Sequence, residues 1–289
     1  MNYLIHLIIY LEIYALVALS LNLIVGYGGL LQVAHAAYYG IGAYTFALAS
    51  LELGLGFIPA FLLSGVAAAL LSVLVSMPAW RFRGDEFVMM SLAVQIAIYT
   101  VFYNWTDLTG GPFGISAIPN PDIFGITFDT KSSILVLYGG ILLFGVVLLA
   151  ALKQSPFGRA LQAMRDDELA ARSLGISTRL RKVQAFAASC AIVGFAGAMY
   201  ASYVTYIDPT SFNLDASILM LSMVIVGGTG NLRGPFLGAL TLILIPELLR
   251  MVALPDAAAA NVRLLVYGLL LIVLMHLRPQ GLAGEYRLE

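Results

Sequence analysis

Charge is scarce in this chain and cysteine almost missing. Only 11% of the 289 residues are Asp, Glu, Lys or Arg, while 61% are hydrophobic and the mean hydropathy is +0.93. A water-soluble domain cannot bury that much apolar surface, so the solvent must be lipid. The single cysteine, Cys190, lies in an apolar segment, which leaves neither a disulfide nor a zinc site. Period-2 alternation is absent, which excludes a β-barrel. A net charge of −1 without runs of like charge gives no sign of a nucleic-acid partner. No G-x-x-x-x-G-K-S/T string occurs: Lys131, Lys153 and Lys182 all lack the preceding glycine, and there is no HExxH. The chain therefore carries no recognisable nucleotide-hydrolysing, metal-binding or catalytic constellation. A cationic leader and a small-residue cleavage site are also missing, so the first hydrophobic stretch is expected to be retained.

What is present is a series of about nine hydrophobic segments, near 3–25, 29–50, 57–80, 86–104, 132–152, 183–205, 215–228, 235–252 and 262–277. The stretch Ser132 to Leu152 has 21 residues without a charge, enough to cross a bilayer as a helix. The expected fold is an all-α polytopic membrane bundle forming one domain, 1–289. The seventh segment is short and runs into "GGTGNLRGP", and the ninth has only 14 residues between Arg263 and Arg278. Short, Gly/Pro-interrupted segments suggest broken or re-entrant helices. A short helix flanked by snorkelling arginines suits the ninth better.

Seven of the fifteen basic residues fall in the loop 153–182, whereas 105–131 and 206–214 carry Asp107, Asp122, Asp129 and Asp208 against Lys131 alone. The positive-inside rule places 153–182 in the cytoplasm and the other two loops outside. Nine full spans would put the N-terminus outside and the C-terminus inside. Arg250 and Arg263 would then lie outside, a conflict removed if the seventh or eighth segment does not span.

The loop itself reads as two short helices. Ser155-Pro156 supplies an N-cap and a first-position proline. A second helix starts at Asp166 or Asp167 and ends at Gly175, which suits a left-handed cap, after which Ser177 can cap segment six. Leu161, Met164, Ala171 and Leu174 are expected to form one apolar face. Such a helix can dock into a partner's groove or lie on lipid.

Within the spans the polar leads are Glu12, Asn22, Gln32, His35, Ser91, Gln95, Asn104 and Glu247. Asn22, Gln32, His35 and Gln95, with Gly40 and Gly42, fit either a translocation pathway or helix packing, and the packing role is favoured for His35, Gln32 and Gln95. Glu247 and Arg250, three apart on a helix, most simply pair with each other. Glu12 has no identifiable partner. Thr109-Gly110-Gly111-Pro112 reads as a turn, or as a docking point for an external protein.

"DELAARSLGI" resembles the E-x-A-A-x-x-x-G loop of ABC importer permeases, with Glu168, Ala170, Ala171 and Gly175 at the matching positions. The wider "SPFGRALQAMRDDELAARSLGIS" is similar to the corresponding loop of branched-chain amino-acid permeases. "SLNLIVGYGGLLQVAHAAYYGIGAY", "RFRGDEFVMMSLAVQ", "WTDLTGGPFGI" and "VIVGGTGNLRGPFLGA" with "LRPQGL" follow in that family's order, over about 20–281. The pattern resembles the LivM-type subunit rather than its LivH-type partner.

The resemblance implies a permease subunit of a bacterial inner-membrane importer, with its C-terminus cytoplasmic. It implies a homologous LivH-type permease, two cytoplasmic ABC ATPases that hold ATP and Mg, a periplasmic binding protein, surrounding lipid and no cofactor bound by this chain. Arg165, Asp167, Glu168, Ala170, Ala171, Arg172 and Gly175 would form the coupling helix. The substrate class implied is branched-chain or related hydrophobic amino acids, with urea, amides or sugars carried by related permeases. An ion-coupled secondary transporter would want mid-span acids, of which only Glu12 qualifies. An intramembrane enzyme would need more than His35.

Overall fold

The computed structural model describes residues 2–79, 85–123, 125–250, 265, 268–269 and 281–284. The elements follow in chain order. Helix α1 (Asn2–Asn22) runs into a π-helical turn (Leu23–Tyr27), followed by α2 (His35–Leu51), α3 (Phe57–Ala79) and α4 (Asp85–Asn104). A polar connection holds the short α5 (Thr106–Thr109), β1 (Ile115–Ser116), β2 (Asp122–Ile123) and β3 (Ile126–Thr127). Then come α6 (Lys131–Gln154), α7 (Pro156–Asp166), α8 (Glu168–Ser173), α9 (Thr178–Val204), β4 (Tyr206–Ile207), α10 (Leu214–Gly227) and α11 (Arg233–Arg250).

Among the described residues, five helices are long and apolar enough to cross a membrane: Tyr3–Tyr27, Phe57–Val75, Glu86–Asn104, Lys131–Gln154 and Thr178–Val204. The chain is a multi-pass integral membrane protein, but the expected nine segments resolve differently. The second becomes helical only at His35 and forms a helix of 17 residues, twelve of them buried, so α2 is a core helix sheathed by its neighbours. The seventh is the 14-residue α10 and the eighth is α11, and the ninth, apart from residues 265 and 268–269, lies outside the described residues. Helices α3, α4 and α6 turn Leu70, Ile96 and Phe144 outward, the arrangement of a bundle whose surroundings are apolar.

The centre is built on glycine. A Cβ at Gly42 of α2 would overlap the Gly194 carbonyl of α9, and one at Gly197 would overlap the Tyr39 carbonyl. Gly65 of α3 lies under the Phe195 ring, and Gly227, Gly234 and Gly238 let α10 and α11 close on each other. Lipid gives no hydrophobic drive for helix association, so dispersion at such close backbone approach does much of the holding.

The two ends of the bundle differ. At one, β1 pairs antiparallel with β4 (Ile115 with Ile207), β2 pairs with β3, and His6 Nδ1 lies 2.6 Å from the Tyr203 hydroxyl, which brings the start of α1 there. Thr109 is buried, its hydroxyl donating to the Phe102 and Trp105 carbonyls, and Gly110 takes φ +72, so the Thr-Gly-Gly-Pro string is a turn. The other end carries α7, α8, the α10–α11 turn and residues 281–283, whose Leu282 and Ala283 amides donate to the Val226 and Gly227 carbonyls. The N-terminal part of α1 thus lies opposite the 153–182 loop, and residues 281–283 lie on that loop's side.

Candidate functional site

The loop 153–182 folds by short-range capping. Ser155 Oγ accepts from the Gly158 amide with Pro156 at the first helical position, so α7 starts where the sequence predicts. Asp167 separates the two helices: its Oδ1 accepts from the Leu169 and Ala170 amides at 2.8 and 3.0 Å and caps α8. Gly175 ends the unit at φ +84, with the Gly175 amide on the Arg172 carbonyl and the Ile176 amide on the Ala171 carbonyl. No atom lies within 4 Å of where its Cβ would be, so backbone conformation alone requires glycine there. Ser177 makes no side-chain cap. Instead, Thr178 Oγ1 accepts from Arg172 Nε at 2.9 Å.

Leu161, Met164 and Ala171 are buried as expected, but Leu174 is 82% exposed and Leu169 67%. The extended break at Asp167 turns α8 out of line with α7, and the outer surface of α8 presents two leucines.

Glu168 is claimed within the chain. Arg172 Nη2 reaches Oε1 at 2.6 Å and Lys182 Nζ reaches Oε2 at 3.0 Å, which ties α8 to α9. Burial pushes the Glu168 carboxyl up, but the hydrogen bond and charge of Lys182, joined by Arg172, outweigh it and hold the group below the ordinary carboxylate range. Arg165 also points inward. Its Nη1 donates to the Gly26 carbonyl at 2.8 Å, while Nε and Nη2 both donate to Asp166 Oδ1 at 3.0 Å.

A second cluster surrounds the break between α1 and α2. After the π-turn the chain doubles back, and α2 begins beside Ser20 rather than beside Tyr27. His35 is fully buried with Nε2 2.8 Å from Ser20 Oγ and Nδ1 3.0 Å from Gln32 Nε2. Ser20 spends its proton on the Val17 carbonyl and Gln32 offers an N–H, so a neutral imidazole protonated on Nε2 satisfies both contacts.

The free amides at the start of α2 are met by other helices. Val33 N–H donates to Ser91 Oγ, Ala36 N–H to Ser217 Oγ and Ala37 N–H to Gln95 Oε1, at 3.0, 2.9 and 2.9 Å. Gln95 Nε2 donates to the Phe212 carbonyl at 2.8 Å and its Oε1 also accepts from Ser217. A helix that starts inside lipid must have its first amides satisfied, and these side chains do that. Asn22 bridges in the same way to the α10–α11 turn, donating to the Asn231 carbonyl at 2.8 Å and accepting from the Gly230 amide at 3.3 Å. Gly40 is pressed between Phe102 and Phe212.

The structure therefore brings Gln32, His35, Gly40 and Gln95 together around the α2 start and places Gly42 at the α9 crossing. It also assembles Asn22 and Arg165 around the π-turn. Ser20, Ser217 and Lys182 belong to these networks and carry no sequence signal beyond being polar. Glu12 stands apart: its Oε2 is buried without a hydrogen-bond partner among the described residues. The Tyr3 hydroxyl donates to Glu247, while the expected Arg250 partner falls outside the described side chains.

A family model described as "Branched-chain amino acid transport system / permease component" matches residues 3–275. The chain is 36% identical to the high-affinity branched-chain amino acid transport system permease protein LivM of Escherichia coli (strain K12), covering 93% of this chain and 67% of that protein. The LivM of Salmonella typhimurium is 35% identical with the same coverage. A probable LivM of Methanocaldococcus jannaschii is 24% identical over 96% of this chain and 92% of that one. No solved structure matches. With a family model spanning nearly the whole chain, and with the cap residues of the matching loop in place, this protein belongs to the branched-chain amino acid transport system permease family.

Proposed function

We propose that the chain is one permease subunit of an ABC importer for branched-chain or related hydrophobic amino acids in a bacterial cytoplasmic membrane. It pairs with a homologous permease, takes substrate from a periplasmic binding protein and is driven by two ATPases that hold ATP and Mg. The observation that carries this reading is the α7–α8 unit. It is rigidly capped, tied to α9 through Glu168, and turns Leu169 and Leu174 outward at the end bearing the basic loop. Exposed leucines on a short helix held at fixed angle suit insertion into a partner's cleft. The same basic loop supports a cytoplasmic placement for that end and for residues 281–283.

Family membership supports the substrate class, as the relatives are named for branched-chain amino acids. The network at His35 and Gln95 supports helix packing over a substrate contact for those side chains, since their bonds are spent on backbone and neighbouring helices.

The test is uptake by the full set of subunits in proteoliposomes. Leucine, isoleucine or valine should enter only with ATP and loaded binding protein. Uptake that needs an ion gradient but no ATP would refute the importer reading, and ATP-driven uptake of other solutes alone would refute the substrate class.

A further inference from the structure

The coupling loop is expected to face its ATPases, yet Arg165 in its middle turns into the bundle. Only 13% of the Arg165 side chain is exposed. Its guanidinium reaches the Gly26 carbonyl of the π-turn, and its Cγ occupies the space a Cβ on Gly29 would need, 2.7 Å away. Gly29 adopts φ +65, so glycine is required there twice over. The other edge of the guanidinium is held by Asp166, which fixes the direction of the group.

The carbonyl that Arg165 grips belongs to an unusual element. Residues Leu23–Tyr27 are π-helical, a wide, under-wound turn that leaves end carbonyls without helical partners. A shift of the hydrogen-bond ladder by one residue would take such a turn to α and so supply a second arrangement. Its far side is tied down as well. Asn22 spans to Gly230 and Asn231, Lys153 Nζ lies 3.5 Å from the Gly230 carbonyl and over the Tyr27 ring, and Asn231 donates to the Ala283 carbonyl. Four chain segments therefore surround one turn: α6 through Lys153, α7, the end of α1 and the α10–α11 turn, which residues 281–283 brace in their own right. Arg165 makes a charge-assisted contact from α7 to that turn. Glu168 and Lys182 attach α8 to α9 separately.

We propose that Arg165 is a positioning residue that transmits displacement of the coupling loop to the π-turn of α1, and through Asn22 to the α10–α11 turn, and that it does not dock the ATPases. The proposal rests on the importer reading above. Its physical content is a two-arrangement element, gripped from the loop on one side and from the bundle on the other.

The complete importer is reconstituted with wild type, Arg165→Met and Arg165→Lys, and three quantities are read: ATPase retained per permease, ATP hydrolysed with loaded binding protein, and substrate imported per ATP. Arg165→Met should keep its ATPases and still hydrolyse ATP, yet import about tenfold less substrate per ATP. Arg165→Lys, which can still donate to one carbonyl, should recover part of that ratio. Release of the ATPases in step with lost uptake would make Arg165 a docking residue and overturn the proposal, as would an unchanged ratio in Arg165→Met. Amide exchange in the wild-type importer decides the matter without any variant. Protection at 23–30 should change together with that of α7 when ATP is added, and a change in α7 alone overturns the proposal. A wild type without ATP-driven uptake would instead remove the importer reading itself.

Discussion

Gly42 of α2 and Gly194 of α9 meet backbone to backbone, with no room between them for one methyl group. The contact sits where the buried core helix crosses a helix of 27 residues, so displacement there is felt through the bundle. Gly42→Ala should lower stability in detergent by about 1–3 kcal/mol, the usual cost of overpacking a tight site. Gly140→Ala, on α6 with nothing within 4 Å of its Cβ, should be neutral or slightly stabilising. Thermal unfolding of the two variants checks this, and equal losses would contradict the crossing.

Gln95 serves the Ala37 amide, the Ser217 hydroxyl and the Phe212 carbonyl from one side chain. Gln95→Leu strands those groups and should cost about 1–3 kcal/mol. Transport per folded molecule should fall much less than the amount of folded protein. A variant of wild-type stability that carries no substrate would instead make Gln95 a pathway residue.

The Glu168 carboxyl is held below its ordinary value chiefly by Lys182, working against burial. A folded pKa below the unfolded one contributes stability that is complete above the unfolded value, about 4.3, and lost as pH falls through the folded value. The α8–α9 tie should therefore stay intact from pH 6 to 8 and weaken only in acid. Amide exchange of 168–182 against pH measures this, and a transition near neutrality would be inconsistent with the geometry. Glu168→Lys, which sets three cations together, should weaken ATPase retention.

Gly175 needs φ +84 in open space, so a side chain there is strained without being crowded. Gly175→Ala should cost about 1 kcal/mol and Gly175→Val more, with the loss appearing in coupling rather than in membrane insertion. Substrate-stimulated ATP hydrolysis is the readout.

Sidedness is tested with two exposed positions. Cysteines at Ser173 and Asn120 should label from opposite faces of the membrane, against a background kept low because Cys190 is buried. Thr109 is unsuitable for this purpose because it is buried. Reaction of both with an impermeant reagent in the same intact cells would refute the orientation.

Composition alone determined that this chain lives in lipid, and short-range chemistry determined the fold of the 153–182 loop. Ser155-Pro156, Asp167 and Gly175 act on amides and carbonyls a few residues away, so their effects can be read along the string. Gly40 and Gly42 likewise read as candidates for helix packing, without the helices they meet. Which apolar segment spans was not legible, because in an all-apolar helix hydropathy does not distinguish a neighbour from lipid, and α2 is buried for that reason unseen. Partners were hidden too. Glu168 takes Lys182 fourteen residues on, Arg165 takes a carbonyl 139 residues back, and Gln95 caps α2 across 58. A polar group in lipid must be satisfied by whatever the fold brings near, and only the tertiary structure decides what that is.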